Sequence, residues 1–305
     1  MMKKNSCKRK RKHSDTLFFA LFSVPSVLLY VVFLIVPLGL VIWLSLTRWT
    51  GAGDIRFIGF DNYSFLFSYS DFWIIIRNTA IMVLMNVAIQ IPLATILAFV
   101  LFRLTRGFRF FRATYFLPSI ISATVIGLMF SVLLNSDIGP VNSLLRSMGL
   151  NSLALSWLSN PRISIYTVTV VSLWQYIGYH MVLILAGMQS ISEEIMESAM
   201  IDGANNFQLA IHIVLPQIRP VLEVSFIFCV TGCLKGFEHA FIMTWGGPGV
   251  ASTNLALYMY KLALSSSELG KGAAIAVMIV VSALVLTRLT NFIFRGKGEE
   301  DALSS

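Results

Sequence analysis

The sequence predicts an all-α membrane protein of six transmembrane helices with both termini in the cytoplasm, and three observations predict it. The first is composition: of 305 residues, 56% are hydrophobic and only 12% are charged, with a mean hydropathy of +0.77. A soluble domain carries about 25% charged residues, so this chain cannot cover itself with a polar surface and needs lipid as its main solvent. The second is a set of six apolar runs, each long enough to span a hydrocarbon core, which takes about 20 helical residues. The third is the placement of the basic residues behind the net charge of +8, which gather at the ends of those runs. There they act as topology signals. They form no single stripe, so the charge is not the clustered footprint of a nucleic-acid-binding protein.

The first run, residues 17–46, follows a basic tail at residues 1–16 that contains Lys8-Arg9-Lys10-Arg11-Lys12. A secretory signal has an apolar region of about 7–15 residues and a small-residue cleavage site. This run is longer, holds Pro25 and Pro37, and ends at Trp43 and Trp49, residues suited to the membrane interface. It reads as a retained helix, and residues 17–71 form that helix with an external loop.

Residues 72–295 are expected to hold the five remaining helices, before a short tail at residues 296–305. The runs 72–101 and 113–134 contain a single charge, Arg77, and are apolar all round, as helices facing lipid and other helices should be. The loop 135–162 carries Gly139-Pro140 and Asn160-Pro161 turn signals. Its apolar Trp157 and Leu158 predict a packed cap. Runs 163–188, 221–245 and 272–294 complete the set. Cys229 and Cys233 lie one turn apart inside an apolar run and Cys7 lies in the tail. They read as small hydrophobes, with no disulfide framework.

Sidedness follows from Lys and Arg. With the N-terminus inside, fifteen of the 23 fall on the cytoplasmic side and seven on the other, with Lys235 intramembrane. The bias places both termini in the cytoplasm.

The cytoplasmic loop 190–220 predicts a helix–glycine–helix elbow. Ser192 is a candidate N-cap, and Glu193 and Glu194 suit the positive end of a helix dipole. Ile195, Met196, Ala199 and Met200 form one apolar face. Gly203 stops the first limb; Phe207, Ala210, Ile211 and Val214 make a second stripe, ended by Pro216. Such an elbow could rest on the membrane surface, but surface helices favour Lys and Arg. Glu193, Glu194, Glu197 and Asp202 point instead to a protein partner.

The spacing within this loop is distinctive. Glu197-Ser198-Ala199, three residues, Gly203, nine residues, then Ile213-Val214-Leu215-Pro216 resembles the EAA loop of ABC importer permeases. That motif reads Glu-Ala-Ala, three, Gly, nine, Ile-x-Leu-Pro, and Ser198 is the only departure. Further stretches resemble the maltose/glycerol-phosphate type of carbohydrate permease, and the first of its two paired permeases in particular. They are Gly59-Phe60-Asp61-Asn62-Tyr63, Phe72-Trp73 with Arg77-Asn78-Thr79, Phe110-Phe111-Arg112, Phe116-Leu117-Pro118, Thr244-Trp245-Gly246-Gly247-Pro248 and Tyr258-Met259-Tyr260.

The resemblance implies the type I ABC importer permease fold in a bacterial cytoplasmic membrane. It makes the elbow a coupling helix that docks in a cleft of an ATP-hydrolysing subunit, through Glu197, Ser198, Ala199, Asp202, Gly203, Ala204, Phe207, Leu215 and Pro216. It implies a second, homologous permease as heterodimer partner, two ATP-binding subunits that carry ATP and Mg, an extracytoplasmic sugar-binding protein, and a carbohydrate substrate. This chain itself is expected to bind no cofactor.

The substrate pathway should run past polar groups inside the spans. Lys235 and Glu238, three residues apart in the fifth run, either neutralise each other or form a polar wall of a cavity, since intramembrane charges default to function. In maltose-type relatives amides occupy these positions. The fourth run offers Ser172, Trp174, Gln175, Tyr176, Tyr179 and His180, which combine hydrogen-bonding groups with flat aromatic faces. Ser172 and Tyr176, with Ser119 in the third run, fall where similar permeases line the sugar site.

No Gly-x-x-x-x-Gly-Lys-Ser/Thr loop, HExxH spacing or Gly-x-Ser-x-Gly elbow occurs. A secondary transporter would need an inverted repeat and a membrane enzyme a buried catalytic cluster; neither is evident in the sequence.

Overall fold

The computed structural model describes residues 23–104 and 106–294. The basic tail, the first residues of the expected first span and the C-terminal tail lie outside the described residues. In chain order the elements are α1 (Ser23–Ser45), α2 (Asp61–Ser68), α3 (Ser70–Arg103), α4 (Phe108–Ile120), α5 (Ala123–Leu133), α6 (Pro140–Ser147), α7 (Ser164–Met188), α8 (Glu193–Ile201), α9 (Asn206–Gln217), α10 (Arg219–Lys235), α11 (Glu238–Thr244), α12 (Leu255–Ser265) and α13 (Leu269–Phe294). A two-stranded antiparallel hairpin, β1 (Thr47–Arg48) and β2 (Arg56–Phe57), follows α1. Among the described residues four helices are long and apolar enough to cross a membrane, and two bent helix pairs raise the number of spans to as many as six.

Two of the expected spans are not continuous. The third breaks at Ile121–Ser122, where α4 and α5 meet at 92°. Pro118 lacks the N–H that the last turn of α4 would use, and the Ser122 side chain accepts from Thr124 N–H at 3.3 Å to start α5. The fifth breaks at Gly236, which is extended (φ −70°, ψ 126°), before α11 begins at Glu238. A carbonyl freed inside a bilayer must find a partner, and each break is met by a buried amide. Gln175 Nε2 donates to Ile121 O at 2.8 Å, and Asn254 Nδ2 donates to Gly236 O at 2.7 Å.

The prolines inside the long helices are handled differently. Segments Val31–Ile35, Asn86–Gln90 and Leu209–Val214 widen into π geometry, each ending two residues before Pro37, Pro92 or Pro216. A proline ring presses on the carbonyl four residues earlier, and widening that turn relieves the clash. Pro216 therefore does not end its helix; α9 continues to Gln217 and the chain bends by 75° into α10.

The core is divided into three apolar clusters. One joins Leu66, Phe72 and Ile75 to Leu255, Ala274 and Ile275, binding α2 and α3 to α12 and α13. A second gathers Ala94, Ala98, Met181 and Ile184 with Met196, Leu209 and Val214, so the elbow is built into the ends of α3 and α7. The third places Ile126, Val168, Ala240 and Leu257 together, from α5, α7, α11 and α12. Helix α1 packs along α13, yet none of its most apolar stretch is buried, which leaves that surface to lipid or a partner.

Polar clamps lock the ends. Asn78 Nδ2 reaches the carbonyls of Val250, Ala251 and Thr253 at 3.0 Å each. Asn62 Nδ2 holds Ser45 O and Thr47 O at 2.8 and 2.9 Å. The loop 135–162 is packed as expected: Trp157 Nε1 donates to Asn142 Oδ1 at 2.8 Å, and Leu158 joins the third cluster.

Candidate functional sites: the elbow and the cavity

The elbow keeps its predicted shape. Helix α8 opens with Glu193 and Glu194, and Ser192 occupies the cap position without making a side-chain capping bond. Gly203 has φ +86°, a left-handed conformation natural to glycine. It lets Gly203 N–H bond Met200 O and Ala204 N–H bond Ala199 O, at 3.1 and 3.0 Å. The second limb starts with a reciprocal capping box: Asn205 Oδ1 accepts from Gln208 N–H and Gln208 Oε1 from Asn205 N–H, both at 2.9 Å. Its sequence signal, Asn-x-x-Gln, resembles the familiar Ser/Thr-x-x-Glu/Gln pattern closely enough to be found.

The two predicted apolar stripes are split between inside and outside. Met196 and Val214 are buried, Ala199 and Ala210 are half-buried, and Ile195, Met200, Phe207 and Ile211 are exposed. Leu209, absent from the predicted stripe, is buried instead, because the widened turn rotates it inward. Glu197, Ser198, Asp202, Gly203, Phe207 and Pro216 lie on the outer surface, while Ala204 and Leu215 are half-buried behind them. Ile201 and Phe207 stand 86% and 72% exposed, and the carboxylates Glu193, Glu194, Glu197 and Asp202 of the same elbow are exposed too.

A cavity of about 610 Å³ lies between α3, α4, α7, α10 and α11. Ser119, Ser172, Tyr176, Lys235 and Glu238 all line it. Gln175 does not. It is 1% exposed and spans two elements, donating to Ile121 O while its Oε1 accepts from His239 Nε2 at 2.6 Å. It clamps the broken helices behind the wall rather than facing the cavity.

Lys235 and Glu238 do not form the helical pair that their spacing suggested. Lys235 ends α10 and Glu238 begins α11, across the extended Gly236. Glu238 Oε2 instead accepts from Phe237 N–H at 3.0 Å. Among the described residues the single ion pair is Lys271–Glu268, at 2.9 Å. Both Lys235 and Glu238 are thus separately available to the cavity.

The wall also contains Asn86 and Gln90 of α3, Tyr179 and His180 of α7, and His239. His180 Nδ1 lies 2.8 Å from Ser225 Oγ. Asn86 and Gln90 were not singled out, although two amides four residues apart in a charge-free run carried the signal. Their combination of few polar groups, aromatic faces and apolar surface suits a small polar ligand.

Long and broken apolar helices around a wall of separated polar groups, with an outward elbow built into the helices of that wall, define a membrane permease. The chain belongs to the family described as "Binding-protein-dependent transport system inner membrane component", whose model matches residues 90–298. It is 34% identical to the probable ABC transporter permease protein YurN of Bacillus subtilis (strain 168), over 92% of this chain and 97% of that one. It is 32% identical to the multiple sugar-binding transport system permease protein MsmF of Streptococcus mutans, over 85% of this chain and 89% of the relative. Among solved structures, a bacterial ABC transporter involved in import of the acidic polysaccharide alginate superposes with a TM-score of 0.79. That match has 25% identity and covers 94% of this chain and 97% of the other. The chain is therefore a multi-pass ABC importer permease, a transport subunit rather than an enzyme.

Proposed function

We propose that this permease translocates a carbohydrate: a sugar, an oligosaccharide, or a related polyol or glycerol-phosphate compound. It sits in the bacterial cytoplasmic membrane with both termini inside. An extracytoplasmic sugar-binding protein delivers the substrate, and a second, homologous permease completes the pathway. Two ATP-binding subunits hold ATP and Mg, and this chain binds no cofactor of its own. Their closure pushes on the elbow 193–216 and reorients the spans around the cavity.

The observation that carries this reading is the elbow's seating. Met196, Leu209 and Val214 are buried against the ends of α3 and α7, the same helices that present Asn86, Gln90, Ser172 and Tyr176 to the cavity. A push on the elbow therefore moves the substrate wall directly. The exposed Glu193, Glu194, Glu197 and Asp202 would be repelled by anionic headgroups, whereas the exposed Ile201 and Phe207 suit a protein cleft. Relatives named for sugar transport support the substrate class.

The test is Gly203→Asp in the complete complex. An added Cβ meets nothing within 4 Å, so the strain is conformational, about 1–2 kcal/mol for a left-handed residue, and the new charge falls on the docking face. Uptake of labelled sugars and transport-coupled ATP hydrolysis should both be abolished, with membrane insertion intact. Normal uptake would remove the coupling role.

A further inference from the structure

Three buried side-chain atoms among the described residues lack a hydrogen-bond partner: Asn78 Oδ1, Gln90 Nε2 and Ser164 Oγ. Asn78 and Ser164 are not among the residues lining the cavity, and Gln90 is. Gln90 is 2% exposed. Its Oε1 has only the Cys229 thiol, at 3.9 Å, and neither hydrogen of its Nε2 is used. A buried amide donor with no partner in the protein is costly. A native structure that keeps one calls for an explanation.

Local geometry supplies part of it. Met82, Asn86 and Gln90 follow at four-residue spacing on α3 and all line the cavity, as residues on one helical face do. Asn86 and Gln90 bound the π segment that precedes Pro92. Such segments recur at functional sites because they re-aim side chains. Asn86 Nδ2 turns back onto Met82 O at 2.8 Å, whereas Gln90 has no backbone carbonyl to turn to. The last torsion of a glutamine is broad, so its amide can turn toward the cavity while the rest of the side chain stays packed.

We infer that Gln90 is a substrate-contacting residue whose Nε2 donates to a hydroxyl or ring oxygen of the transported carbohydrate. Within the protein the donor has no partner, and the substrate supplies one. The substrate thereby stabilises the α3 wall at the point where Pro92 has already loosened the helix. A polyhydroxylated ligand fits because it offers acceptor oxygens in many directions, and a purely apolar one would leave the amide unpaired. The assignment rests on the carbohydrate reading above.

The test uses the complete complex, with its partner permease, ATP-binding subunits and binding protein, in proteoliposomes. The probes are labelled mono-, di- and oligosaccharides, polyols and glycerol-phosphate esters. Gln90→Met keeps the side-chain length and removes the donor; Gln90→Asn keeps the donor and withdraws it by one methylene. For the probe that the native complex imports best, maximal uptake should fall about tenfold in Gln90→Met and to an intermediate value in Gln90→Asn. ATP hydrolysis stimulated by the loaded binding protein should stay within about twofold, and thermal stability of the Gln90→Met complex should not fall. Native-like uptake in Gln90→Met would overturn the assignment. So would a loss of uptake matched by equal losses of ATP hydrolysis and thermal stability in both variants, which is the mark of a packing defect. Failure of the carbohydrate reading shows in the native complex instead, as no uptake of any probe, and overturns both.

Discussion

Arg103 donates to Asn206 Oδ1 at 3.2 Å. It also reaches Met200 Sδ at 3.8 Å, so the last residue of α3 touches both limbs of the elbow, on either side of Gly203. The apolar seam beneath holds the same elements together, and the guanidinium closes the joint at the surface.

Arg103→Ala should therefore weaken coupling without touching the cavity. An exposed hydrogen bond of this kind contributes about 1 kcal/mol, which corresponds to roughly a fivefold loss. Sugar imported per ATP hydrolysed is the measurement. Asn206→Ala should reproduce the effect, and the double variant should lose little more, since contacting residues are non-additive.

Gln175→Leu should destabilise the permease more than its shape change suggests. It strands the buried His239 ring and removes the amide donor from Ile121 O, at the two span breaks. The stranded ring costs about 1–3 kcal/mol, so thermal unfolding of the purified complex should shift down clearly. A shift no larger than that of a surface substitution would refute the clamp.

Gly178 lies where α7 crosses α4, and a Cβ there would collide with the Tyr115 carbonyl. Close backbone approach through small residues is how membrane helices pack. Gly178→Ala should force α4 and α7 apart and reduce the yield of assembled complex severely. Gly232→Ala, where an added Cβ meets nothing, should assemble normally in the same assay.

Trp157→Phe should act on the loop 135–162 alone. It removes the indole bond to Asn142, about 1 kcal/mol, while leaving an aromatic ring in its place and Leu158 in the third cluster. Limited proteolysis should cut this loop faster, and the ATP hydrolysis of the complex without binding protein should be unchanged.

The features legible in the sequence are those carried by local patterns. Runs 72–101, 163–188 and 272–294 coincide closely with Ser70–Arg103, Ser164–Met188 and Leu269–Phe294, because hydrophobic length is counted along one segment. The elbow was legible because Gly203 and the residues at fixed offsets from it describe one turn between two helices. The span breaks were not. Pro118 and Ser122 sit beside the first break, but the apolar run continues past them, and the amide that stabilises that break is 54 residues away.

Direction was equally hidden. Gln175 and Gln90 are both amides inside apolar spans, and polarity marks both as candidates. Packing turns the first onto Ile121 and His239, behind the wall, and leaves the second without a partner on the cavity. Lys235 and Glu238 would share a face if the helix were continuous, and the break at Gly236 separates them.

Composition and run length thus suffice for a multi-span membrane protein, and the spacing around Gly203 for a helix–glycine–helix elbow, since each depends only on neighbours along the chain. Which carbonyls are freed, which amides satisfy them and which donor is left for substrate depend on groups brought together from distant segments. In a medium without water every such group must find its partner within the protein or in what it carries, and that pairing exists only once the helices have packed.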